Sequence, residues 1–264
     1  AETIKVRPGM KVELVAAEPL TMDPIDVAWG PDGRMWVVEM ADYPNGIDDM
    51  GASGGRVRFL EDDNGDGIYD RSTLFLDKLN FPSSVAPWRD GVLITAAPDI
   101  LFARDTNGDG RADSVEKLFS GFGEGNQQHR VNGLQWGLDN WIHCANGDSN
   151  GKIKSHKTGK VVDINGMDFR IKPDTGEIET EFGRTQHGKS RDDVGNWFGC
   201  NNSWPGWHFA LEDRFLKRNP HVRYPSPKVY LQTPPSIDSI DLEIDCKETD
   251  EIINSIKNFA PSFG

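Results

Sequence analysis

Two short segments carry residues of the kind that bind hard cations. Asp105–Glu116 presents Asp105, Asn107, Asp109, Gly110, the Arg111 carbonyl, Asp113 and Glu116 in sequence. This is the ligand order of a twelve-residue calcium loop, with Gly110 at the sharp turn and an acidic residue in the last position. An earlier segment presents Asp62, Asn64, Asp66, Gly67, the Ile68 carbonyl and Asp70, but ends on Thr73 and lacks the final carboxylate. Carboxylates packed this closely repel one another unless a cation offsets them, so a structural calcium is expected. The alternative is a pair of Asp/Asn/Gly-rich hairpins with no metal.

The elements flanking these loops read as strands, not as the helices of an EF-hand. RFLEDDNGDGIYD and LFARDTNGDGRAD each place an apolar run before the loop, and Asp62 lies 43 residues before Asp105. That period is the length of one four-stranded propeller blade. A second repeat runs in phase: VAWGPDGRMWVVE from Val27, VAPWRDGVLITAA from Val85 and LQWGLDNWIHCAN from Leu134. Each is an apolar strand, a turn built on Asp-Gly or Asp-Asn, and a second apolar strand. A fainter fourth unit spans Met167–Phe182 around a Pro-Asp-Thr-Gly turn. Short strands at regular spacing predict an all-β chain, a β-propeller of the six-bladed type. Six blades of roughly 45 residues need about 270 residues. Either the ring closes with poorly marked blades or the chain is the first part of a longer one, and the second is favoured. Blades are expected over 1–223. Residues 224–264 read as a Pro-rich segment from Tyr224 to Pro235 followed by a short helix ending at Phe259.

Composition narrows the function classes. The net charge is −13, which repels phosphate backbones and argues against nucleic acid as a partner. No apolar run approaches a membrane span, so no transmembrane segment is expected. The chain opens Ala-Glu-Thr-Ile-Lys and reads as a mature or trimmed product. Cys144, Cys200 and Cys246 form no metal, redox or haem motif.

The segment Gly123–Asp148, GEGNQQHRVNGLQWGLDNWIHCANGD, places His129 just before a blade strand. On a propeller, that position faces the region around the central axis. Here the sequence resembles the propeller-fold sugar dehydrogenases that use pyrroloquinoline quinone, the soluble glucose and sorbosone dehydrogenases. The matches are His129, Leu134, Gly137, Asp139, Gly147 and Asp148. Asn132 stands where that family has Gly, with Gly133 beside it. A closer resemblance, from Val6 to about Pro220, is to large secreted proteins of Planctomycetes and Verrucomicrobia described as membrane-bound dehydrogenases. It rests on VELVAAEPL, DGRMWVVEMADYP, the two NGDG loops, NGLQWGLDNWIHCANG, DDVGNWFGCNNS and KRNP.

The resemblance implies an extracytoplasmic, periplasmic or secreted protein that oxidises a sugar hydroxyl or aldehyde. His129 is then the general base, a role suited to an imidazole that titrates near neutrality. Arg130 and Arg191 would orient quinone or substrate carboxylates, and Asn132 and Asp148 would lie at the cofactor. A c-type cytochrome is the implied electron acceptor. Two other readings stay open: a non-catalytic, calcium-stabilised propeller that binds carbohydrate or protein, and a carbohydrate hydrolase or lyase on the same scaffold. The segment Asp192–His208 combines three Trp with Asn201, Asn202 and His208, which suits either a sugar-binding surface or a blade core with its loop. His143 reads as a packing residue; His156, His187 and His221 read as loop residues.

Overall fold

The computed structural model describes residues 4, 6, 8–218, 221 and 226–231. The first hairpin unit forms β1 (Pro24–Trp29) and β2 (Met35–Glu39), and the chain adds β3 (Gly55–Glu61) and β4 (Arg71–Leu79). These four pair in order as an antiparallel sheet. The second unit repeats the plan with β5 (Ser84–Trp88), β6 (Gly91–Ala96), β7 (Asp99–Arg104) and β8 (Ser114–Phe122). The third begins with β9 (Asn132–Trp136) and β10 (Ile142–Ala145). The chain then leaves this sheet: β11 (Gly151–Ser155) and β12 (Val161–Asp163) form a hairpin that joins β8 and extends the second sheet to six strands. It returns with β13 (Asp168–Lys172) and β14 (Glu177–Glu181) beside β10. The fourth sheet is β15 (Lys189–Arg191), β16 (Trp197–Asn201), β17 (Trp204–Phe209) and β18 (Lys228–Tyr230). A single helical turn, α1 (Asp213–Leu216), precedes β18.

Among the described residues the chain is therefore all-β, with four antiparallel sheets. Their first strands lie side by side, β1 against β5, β5 against β9, and β9 against β15. Two sequence expectations are revised. Met167–Phe182 is not a fourth unit but the outer half of the third sheet, because β13 completes the pairing of β10. The Pro-rich stretch is not all linker: Lys228–Tyr230 pairs with β17, so the fourth sheet takes its last strand from beyond residue 223. The helix expected to end at Phe259 lies outside the described residues. Among the described residues, no helix is long and apolar enough to cross a membrane.

What glues neighbouring sheets differs along the row. Between the first and second sheets the seam is apolar: Trp36, Phe59 and Phe75 pack with Val85, Ile94 and Leu101. Trp36 and Phe75 meet edge to face at 4.8 Å. Between the second and third it is again apolar, with Leu93, Phe119 and Phe122 against Leu134, Ile142 and Phe169. Each such fully buried side chain contributes about 1.5–3 kcal/mol. The third and fourth sheets meet instead on charge. Lys189, with its side chain 3% exposed, lies 2.9 Å from Glu181 and 3.7 Å from Asp168. His143 is held between Glu181 at 2.8 Å and Asp139 at 3.1 Å, and stacks on Trp197 at 4.0 Å. His143 thus is buried, as expected, but by ionic partners rather than by packing alone.

Candidate functional site

The first strands of the four sheets, β1, β5, β9 and β15, start close together, and a cavity of about 870 Å³ opens there. β1 contributes Asp23, Pro24, Ile25 and Asp26; the loop after β2 contributes Met40 and Tyr43; Ser83 precedes β5. The approach to β9 brings Gln127, Gln128, Arg130, Asn132 and Gly133, and His187 and Gly188 precede β15. Backbone groups at strand starts are unspent by the ladder, so side chains here tie one strand to the next. Asp26 accepts from Ser84 Oγ at 2.6 Å and from the Val85 N–H at 3.0 Å, joining β1 to β5; burial pushes its carboxyl above the ordinary range. Asn132 donates to the Arg130 and Gln186 carbonyls at 2.9 and 2.8 Å and accepts from the Gly188 N–H at 2.7 Å. Its amide is saturated, and it fastens β9 to the segment leading into β15.

His129 ends a short turn, Gln127–His129, capped by the Asn126 side chain. Its proton position follows from its neighbours. The Asn202 N–H donates to Gln186 Oε1 at 3.0 Å, which orients the Gln186 amide. Gln186 Nε2 therefore donates to His129 Nε2 at 2.8 Å. The ring proton then sits on Nδ1, which faces Asp148 Oδ2 at 3.6 Å. Asp148 is held from its other side by Arg184. His129 and Asp148 thus come together, but the basic nitrogen of His129 points at Gln186.

Arg130 runs inward. It is 5% exposed, its guanidinium lies 4.8 Å over the Phe81 ring, and Nη2 donates to the Glu124 carbonyl at 2.9 Å. Nε and Nη1 are buried with no acceptor among the described residues. Gly147 gives the backbone close approach that holds Arg130 in place: its φ is +74° and it donates to the Thr185 carbonyl at 3.0 Å. Arg191 belongs elsewhere. Its Nε donates to the Trp136 carbonyl at 2.8 Å, at the far end of β9 from the cavity. His129, Arg130, Asn132 and Asp148 are one neighbourhood, then, and Arg191 is not part of it. Sequence reasoning passes over Asp26, Tyr43 and Gln186. Asp26 leaves a signal, a lone carboxylate inside an otherwise apolar strand; Gln186 leaves none.

The two calcium-type loops occupy equivalent places, joining β3 to β4 and β7 to β8. Their turns share most of their hydrogen bonds. Asp62 accepts from Gly65 and Gly67 at 2.7 and 2.8 Å, and Asp105 from Gly108 and Gly110 at the same distances. Asn64 and Asn107 accept from Asp66 and Asp109, and these in turn from Ile68 and Arg111. Asp70 and Asp113 close the loops on the Asp63 and Thr106 N–H groups. The Gly110 and Gly67 N–H groups hold the Asp105 and Asp62 carboxyls below their ordinary pKa. Glu116 lies out along β8, opposite Phe102. Among the described residues, no three His, Cys, Asp or Glu side chains are grouped to hold a metal ion.

Among the described residues, fold and site together define an all-β arrangement of four antiparallel sheets with a cavity where the first strands of the sheets start. The chain belongs to the family described as Domain of unknown function (DUF7133), whose model matches residues 1–259. No curated protein matches it. Among solved structures it is similar to a structural genomics protein of unknown function from Bacteroides thetaiotaomicron VPI-5482, at 11% identity and a TM-score of 0.39. That similarity covers 83% of this chain, which spans 60% of the other.

Proposed function

We propose that the four sheets are blades of a β-propeller and that the cavity at the start of their inner strands binds a carbohydrate. Two features support the propeller: four-stranded meanders with adjacent first strands, and equivalent loops at the 43-residue period. The observation that carries the ligand is the lining itself. Gln127, Gln128, Tyr43, Asp23, Asp26 and Arg130 line a space large enough for a sugar. Placed polar groups of both donor and acceptor type suit hydroxyls. Saturation-transfer NMR with a panel of glycans tests this; Gln127→Ala and Tyr43→Phe are expected to weaken any binding severalfold. Unchanged binding in both would remove this cavity as the site.

Pyrroloquinoline quinone is a tricarboxylate, and the described cavity lining opposes one guanidinium with two carboxylates. These residues alone do not fit that group. The dehydrogenase reading keeps one supporting observation, the approach of His129 to Asp148 beside the cavity. A base there must first release Nε2 from Gln186. Dye reduction across a sugar panel, with quinone and calcium supplied, is expected to vanish in His129→Ala; no reduction by the unaltered chain excludes this reading.

Calcium is proposed for the loops as a staple, supported by their shared ligand order and matching turns. Millimolar calcium is then expected to raise the melting temperature and chelator to lower it, by mass action on the folded state. Asp105→Ala should abolish most of the response. A melting temperature indifferent to calcium leaves the loops as hydrogen-bonded turns.

A further inference from the structure

The cavity has two chemically different walls. Asp23 and Asp26 come from β1, and Arg130, Gln127 and Gln128 come from the approach to β9. β5 packs between β1 and β9, so the carboxylate wall and the cation–amide wall stand on opposite sides of it. On the first wall Asp26 is already tied to Ser84 and Val85. On the second, Arg130 lines the cavity, is 95% removed from solvent, and leaves Nε and Nη1 without an acceptor. Among the described residues, no carboxylate oxygen forms a salt bridge with it. Asp42 and Glu124 act on it only at longer range; Asp42 spends Oδ2 on the Gly54 and Phe81 N–H groups, and its Oδ1 is buried without a hydrogen-bond partner among the described residues. A buried guanidinium with unspent N–H groups is costly to keep unless something accepts them.

We propose that Arg130 anchors a ligand carboxylate, and that the ligand is a sugar acid such as a uronate. Its carboxylate meets the Arg130 wall, flanked by the Gln127 and Gln128 amides, and its hydroxyls donate to the carboxylates of the β1 wall. The lining holds one guanidinium, an anchor for one carboxylate and not for three. A charge-assisted hydrogen bond to a planar guanidinium is the strong, specific contact in such a site. This inference rests on the carbohydrate reading of the cavity and names its substrate class.

Isothermal titration with an oligogalacturonate, its methyl ester and a neutral hexose oligomer of equal length tests it. The acid is expected to bind about tenfold to a hundredfold more tightly than the ester, the range of a lost hydrogen bond to a charged group. Arg130→Lys should erase most of that preference, with the melting temperature checked alongside. Asp23→Asn, on the opposite wall, keeps the fold independent of Arg130 and should leave the acid-over-ester ratio in place. Equal binding of acid and ester overturns the carboxylate assignment while leaving the carbohydrate reading standing. Binding of none of the three overturns both, and a full acid preference in Arg130→Lys moves the anchor to another residue.

Discussion

Glu181→Ala should lower the stability of the protein by about 3 kcal/mol, the low end of what removing one partner of a buried ion pair costs. Glu181 is still 16% exposed, which is why the low end applies. The loss leaves Lys189 without its nearest carboxylate and His143 without its Nδ1 partner, both inside the seam between the third and fourth sheets. Urea unfolding at constant pH measures it. A change under 1 kcal/mol would mean the seam holds by packing, as the other two do. The same cluster sets a pH dependence. Burial pushes the His143 pKa down, but its hydrogen bonds to Asp139 and Glu181 outweigh this and leave it raised from 6.5. Its contribution is therefore complete below 6.5 and is lost as pH rises through the folded value. Burial raises Glu181, but Lys189 and His143 overcome it and hold the carboxyl well below its ordinary 4.5. Its contribution is complete above 4.5 and lost on acidification. The urea midpoint should be highest between these two ordinary values and decline through neutrality. His143→Gln should flatten that decline; an identical slope in the variant would place the titrating group elsewhere.

Gly147→Ala is expected to cost about 2–5 kcal/mol and to abolish ligand binding in the cavity. A left-handed backbone costs an L-residue about 1–2 kcal/mol. Here the added Cβ would also stand 1.9 Å from the Arg130 carbonyl oxygen. That neighbour is backbone and cannot rotate away, so overpacking adds about 1–3 kcal/mol. Relief requires moving Arg130, whose carbonyl also receives the Asn132 amide. Gly159→Ala is the matched control, with φ +72° and no atom within 4 Å of its Cβ. It should show the backbone cost alone and retain binding. Equal losses in both variants would mean that the contact with Arg130 contributes nothing.

The link between distant segments explains what sequence reasoning reaches and what it does not. The hairpins at Val27, Val85 and Leu134 are legible because alternation and a turn residue are short-range signals. The turns confirm this locally, with positive φ at Gly33, Arg89 and Asn140. The Met167 unit is misplaced because β13 and β14 also form a good hairpin by themselves, and only the pairing of β10 with β13 assigns them to the third sheet. The β11–β12 hairpin joins β8 rather than β10, a choice of sheet edge that no local pattern encodes. At the site, the motif around His129 brings His129, Arg130 and Asn132 together because they are neighbours in sequence. Gln186 reaches His129 across 57 positions and takes its basic nitrogen, and nothing in the chain's local chemistry announces this.

The residues able to do chemistry, their types and their spacing were determined by the sequence itself: two carboxylate loops of one pattern, and an imidazole and a guanidinium side by side before a strand. Side-chain alternation also determined that these would sit on antiparallel strands. Only the tertiary structure decided which atoms remain free to react. It turned the loop carboxylates onto their own backbone N–H groups, closed His129 on Gln186, separated Arg191 from the cavity, and left Arg130 buried with unspent donors. The loop carboxylates find their partners within their own loops, whereas His129 and Arg191 meet partners 57 and 55 positions away that only the packed neighbourhood supplies.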